Sequence, residues 1–131
     1  MVTARDVLDY AFLMLKAAST TSNPKIAEIC LRKTISASYY AVFHAARAYR
    51  ISVLKGEGKT DHEELYRVNH DGLWDWAKKK GVKRHILLRC DTLRARRNDA
   101  DYQIQVDLAH DPQDCLQRAQ ILVQEFEAMQ P

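Results

Sequence analysis

The sequence predicts an all-α, up-and-down helical bundle of four to five helices, and three observations lead there. Apolar residues recur at helical spacing in segment after segment. Two prolines each follow a capping side chain, at Asn23-Pro24 and Asp111-Pro112, and no segment alternates with the period of a strand. At 131 residues the chain has the length of one domain, so residues 1–131 are expected to share a single core.

Each element has its own signal. Thr3 followed by Asp6 caps a first helix, which carries Val7, Leu8, Phe12, Leu15 and Ala18 inward and ends near Thr20. Pro24 opens a long central helix that runs without Gly or Pro to Leu54. KGEGKT is a turn. Asp61 caps a third helix carrying Leu65, Val68, Leu73, Trp74 and Trp76; Gly81 closes it and Gly72 is a point where it breaks. A fourth helix, from Val82 to about Gln103, places Ile86, Cys90, Leu93 and Arg97 along one stripe. Asp111-Pro112 opens the last helix, with Leu116, Ala119, Leu122, Val123 and Phe126 inward.

The overall charge of +3 hides an uneven distribution. Between Lys78 and Arg97 stand nine Lys or Arg against one acid, a local net of +8 that leaves −5 for the rest. Such a stripe is the footprint of a polyanion partner, or a seat for an acidic neighbour such as the C-terminal third in a dimer. Cys30, Cys90 and Cys115 are odd in number and far apart, which fits reduced core thiols. No run of apolar residues is long enough to cross a membrane, and MVTARDVLDY lacks the apolar stretch of a signal peptide, so the cytoplasm is the expected location. Gly-rich phosphate loops, zinc-ligand spacing and a Gly-x-Ser-x-Gly elbow are missing, so no metal or cofactor is expected.

Two stretches carry the candidate chemistry. On the central helix Ser36, Tyr40, His44 and Arg47 fall on one face, beside an apolar surface of Ile35, Tyr39, Val42, Phe43 and Ala46. On the fourth helix, RARRNDADY packs Arg94, Arg96, Arg97, Asn98, Asp101 and Tyr102 into nine positions. The i, i+4 pairs within it also fit a plain ion-pair and amide ladder worth ~0.2–0.5 kcal/mol per pair. Arg97 and Asp101, however, lie on the apolar stripe with the arginine first, the weaker order and a costly place for charge.

YYAVFHAARAYR, a histidine after a turn (His62 in TDHEE) and the later RNDADY together resemble the small bacterial and archaeal HEPN proteins over roughly residues 5 to 126. The resemblance implies an all-α fold with two long antiparallel helices, frequent homodimerisation, and metal-independent cleavage of RNA in toxin or defence systems. It also implies, for some members, a nucleotidyltransferase or antitoxin partner. The family's catalytic Arg, four to six residues, then His motif is absent: none of His44, His62, His70, His85 and His110 has an Arg at that spacing upstream. Arg97 with Asp101 and Tyr102 stands in its place, as in a branch of the family.

That substitution matters chemically. Metal-free RNA cleavage needs a base, an acid and a cation for the phosphorane, and histidine suits acid–base work near neutrality untuned, whereas Asp (~3.9) and Tyr (~10) do not. A guanidinium fork still matches phosphate. In the ribonuclease reading Arg97 stabilises the phosphorane, Asp101 or His62 acts as acid or base, and Tyr102 and Asn98 orient the substrate. Arg96, Arg94, Tyr40, His44 and Arg47 hold RNA or nucleotide. In a second reading a non-cleaving dimer binds RNA or nucleotide or docks on a nucleotidyltransferase, with Tyr102 as a contact or an acceptor of nucleotidyl transfer. In a third the protein is a helical adaptor.

Overall fold

The computed structural model describes residues 1–130, and among them the only regular secondary structure is helical. Six helices follow one another: α1 (Ala4–Thr20), α2 (Pro24–Gly56), α3 (His62–Tyr66), α4 (His70–Lys79), α5 (Arg84–Tyr102) and α6 (Pro112–Met129). The all-α bundle expected from the sequence is therefore present, with one division more than expected.

The ends form as their side chains dictate. Thr3 and Asp6 make a reciprocal capping box. Asn23 Oδ1 accepts from the Lys25 and Ile26 amides ahead of Pro24, and Asp111 Oδ1 accepts from Gln113 N–H ahead of Pro112. Gly81, at φ 85°, ends α4 in the left-handed conformation that an L side chain resists.

The extra division falls at Arg67–Asn69 rather than at Gly72. Asn69 adopts an extended backbone and its Oδ1 accepts from Gly72 N–H at 2.7 Å, which starts a fresh helix at His70. Gly72 is the residue that permits this cap: a Cβ there would stand 2.9 Å from Asn69 Oδ1. A second correction concerns Phe12, expected inward but 54% exposed, because α1 buries only the Leu8 and Ala11 side of its surface.

The 33-residue α2 is the axis of the bundle, and α1, α4, α5 and α6 all pack on it. Ala37, Ser38, Ala41, Ala45 and Ala46 are buried along it, and such small side chains let neighbours approach closely. Thr34 and Ser38 satisfy their hydroxyls on the carbonyls of Cys30 and Thr34. α5 runs antiparallel to α2: Arg32 bonds the Ala100 carbonyl and, just past α5, that of Gln103, whereas Tyr40, about two turns further along α2, meets Arg97. The core beneath includes Tyr39, Leu73, Leu93, Leu122 and Phe126, each fully buried.

The basic stripe meets its acids within the chain. Arg94 pairs with Asp71 (2.7 Å), Arg96 with Asp114 (2.8 Å), Arg89 with Glu125 (3.7 Å) and Lys80 with Glu57. The acidic C-terminal segment thus seats part of the stripe intramolecularly through α6.

Candidate functional site

The site lies where α2, α4 and α5 meet, and Arg97 is its centre. Its side chain is only 10% exposed. Nη2 donates to Tyr40 Oη (2.9 Å) and Nη1 to Asn98 Oδ1 (2.7 Å). The guanidinium carbon stands 5.0, 5.5 and 5.9 Å from the ring centres of Tyr40, Tyr39 and Tyr102, within cation–π range of all three. Nε is buried without a hydrogen-bond partner; Asp101 Oδ2 is 3.7 Å away, too far for one. Ser36 Oγ instead donates to that oxygen at 3.1 Å, and Asp101 Oδ1 is left free to solvent. The plain i, i+4 ion pair is accordingly the loosest contact that Arg97 makes.

Burying a cation this incompletely paired is costly, and the tyrosine rings offset only part of that cost. The sequence makes the arrangement possible by placing consecutive tyrosines on α2. Tyr39 turns fully into the core and Tyr40 to its edge, so one ring lies under the guanidinium and the other supplies a hydroxyl acceptor.

An imidazole joins the cluster from α4. His70 Nδ1 lies 2.6 Å from Tyr39 Oη, and its ring packs on Phe43 (4.3 Å) and Tyr39 (5.4 Å). Trp74 Nε1–H donates to the same phenol oxygen (3.1 Å), and in the Nε2–H tautomer of His70 the phenol proton is donated to Nδ1. In that tautomer the ring proton of His70 sits on Nε2, which bonds nothing in the protein and opens to solvent. Electrostatics favour the same neutral state. Burial, then the nearby Arg97 and Arg94 charges, lower the pKa of His70, and burial raises that of Tyr39.

Of the residues singled out in the sequence, Arg97, Asn98, Asp101, Tyr102, Tyr40 and Arg94 come together here. Arg94 is held by Asp71, itself 79% exposed, and Tyr102 is 70% exposed at the end of α5. The others lie elsewhere. Arg96 turns to α6, donating to Asp114 and Cys115 Sγ. His62 lies tilted against Tyr66 in α3, which packs on α2 and not on α5. Arg47 donates to the Tyr66 carbonyl, and with His44 it lines a separate groove of about 490 Å³ beside the N-terminus. Burial, then the charge of Arg47, lower the His44 pKa.

His70 is a member that the residue patterns leave out of the site, and Tyr39 and Trp74 are expected from them only as apolar packing residues. A search for arginine and histidine on one helix overlooks an imidazole delivered from another. The available signal was Asn69, whose cap fixes where α4 begins and so where His70 points.

The chemical capacity is that of an anion site. His70 Nε2–H and the Arg94 guanidinium offer donors, and rotation of the exposed Asn98 would free Arg97 Nη1. Asp101 Oδ1 is a free acceptor beside them. Fold and site together define a class: a small all-α bundle built around a buried arginine ringed by tyrosines, with a neutral histidine at its edge. No family model, curated protein or solved structure matches the chain.

Proposed function

We propose that this protein is an RNA- or nucleotide-handling helical bundle of the HEPN kind, and that the Arg97 cluster receives a phosphate group. One observation carries the reading: a buried guanidinium with an unpartnered Nε and an imidazole whose Nε2 bonds nothing in the protein occupy the same cluster. Perturbed titratable groups gathered in this way are a mark of functional sites. The phosphate takes hydrogen bonds from His70 Nε2, Arg94 and Arg97, and Tyr40 holds Arg97 in place.

The same contacts favour binding over cleavage as the resting property. In the Nε2–H tautomer the Nδ1 lone pair of His70 is occupied by Tyr39, so Asp101 Oδ1 is the acceptor left to take a 2′-hydroxyl proton. Metal-independent endoribonuclease activity is the second reading, favoured by the juxtaposition of Arg97 and His70; it requires the protonated imidazolium of His70 as the acid, because the neutral ring has no proton to give near neutrality. The exposed Tyr102 phenol suits contact with RNA or with a partner nucleotidyltransferase or antitoxin. A second copy of the chain docks over Ile26, Ile29, Tyr102, Ile104 and Val106, all exposed; Arg32, one turn after Ile29, binds the Val106 carbonyl and so joins the two groups.

The test is total RNA and tRNA incubated with the protein in EDTA, beside Arg97→Ala and His70→Ala, with affinity, product ends and sedimentation mass recorded. Binding by wild type that both variants weaken at least tenfold is expected. Cyclic phosphate ends lost in both variants would add the ribonuclease. Binding indifferent to both substitutions would overturn the site, and a monomeric mass would overturn the dimer.

A further inference from the structure

At the corner between α4 and α5 four cations stand close together. Lys78, Lys79, Lys83 and Arg84 are exposed, and none has an acid within salt-bridge distance among the described residues. Lys78 and Lys79 suit the carbonyl end of α4, where cations are favourable. Lys83 and Arg84 have no such reason: they sit at the amide end of α5, where positive charge opposes the helix dipole, with no acid in the first turn. Helix stability does not account for these cations.

Beside them a groove of about 860 Å³ runs between the two helices. Trp74, Leu87 and Leu88 supply its apolar wall, and Lys78 and Arg84 stand along it. Two carboxylates, Asp75 and Asp91, also line it. They repel phosphate, yet each accepts hydrogen bonds of the kind that exocyclic amino groups of cytosine donate. Trp74 also joins this groove to the site already described, because its indole N–H is the donor to Tyr39 Oη.

We propose that a single-stranded RNA segment docks along this corner, its phosphates on Lys78, Lys79, Lys83 and Arg84 and its unpaired bases turned into the groove against Trp74 and Leu88. Single strands fit because their bases are free to stack on side chains, whereas a duplex hides them. The inference rests on the RNA-handling reading of the Arg97 cluster and supplies the surface that leads the strand to it.

The experiment is the affinity of a labelled oligocytidylate measured against salt concentration for wild type, the quadruple variant K78A/K79A/K83A/R84A, and Arg97→Lys, with circular dichroism confirming that each is folded. Loss of four phosphate contacts lowers the log–log salt slope by about 3. The quadruple variant is expected to show that loss and to bind at least tenfold more weakly, while Arg97→Lys weakens binding but leaves the corner's share of the slope in place. A wild-type slope in the quadruple variant overturns the proposal. So does binding of an acidic peptide or of anionic vesicles, but not of the oligonucleotide, to the wild-type corner. Failure of the Arg97 reading alone looks different: the slope still depends on the corner, and Arg97→Lys binds as tightly as wild type.

Discussion

His70 shows how a single side chain is tuned by its neighbours. Burial against Phe43 and Tyr39, then the nearby charges of Arg97 and Arg94, make the native state favour the neutral ring, whose Nδ1 lies within hydrogen-bond distance of Tyr39 Oη. A folded-state pKa below the ordinary 6.5 means that the unfolded chain binds the proton first as pH falls. The stability contributed by neutral His70 is present above pH 6.5 and is lost as pH falls through the depressed value. Urea unfolding of His70→Gln at a series of pH values is expected to show a shallower loss below pH 6.5 than wild type; an identical slope would show that the imidazole is not held neutral. His44, also depressed, adds a similar dependence, so His44→Gln serves as the parallel variant. At the alkaline end the sign reverses: Tyr39, raised by burial, keeps its proton longer than in the unfolded chain, and its contribution is lost above pH 10.

Among the elements, the α3–α4 break decides where the site's histidine stands. Asn69→Ala removes the cap and is expected to cost ~1 kcal/mol of unfolding free energy. Gly72→Ala is expected to forgo the ~1 kcal/mol that alanine normally gains over glycine in a helix, because the new Cβ displaces Asn69 Oδ1. The two changes therefore combine sub-additively: once Asn69 is Ala, Gly72→Ala stabilises. Denaturant midpoints of the two singles and the double check this, and simple additivity would refute it. The capping residues and prolines made α1, α2 and α6 legible from the sequence, and the stripe of α5 was legible down to Arg97, because these signals are local. The break at Asn69 was displaced toward Gly72 in the sequence reading because glycine alone is a generic breaker, whereas here it serves a neighbour's side chain. The RNDADY half of the site was legible for the same local reason. His70 was not, since its pairing with Tyr39 is tertiary, and Arg96 was misleading, since only the fold turns it toward Asp114.

At the scale of the whole molecule, charge that looks like one stripe in the sequence divides into two populations. Arg89, Arg94 and Arg96 are spent on acids of α6 and α4, which binds the bundle together, while the unpaired cations gather at the α4–α5 corner. The corner, the groove with Trp74 and the Arg97 cluster share α4 and α5, so a polyanion reaching one is beside the next. No helix is long and apolar enough to cross a membrane among the described residues. Nitrogen-15 spectra of the His70 imidazole, recorded while a short single-stranded RNA is added, test the central claim most directly. The account predicts a neutral ring protonated at Nε2 in the free protein and a displaced Nε2 resonance when phosphate arrives, with Arg97→Ala abolishing the displacement. A ring protonated at Nδ1, or an Nε2 resonance that ignores bound RNA, would contradict it.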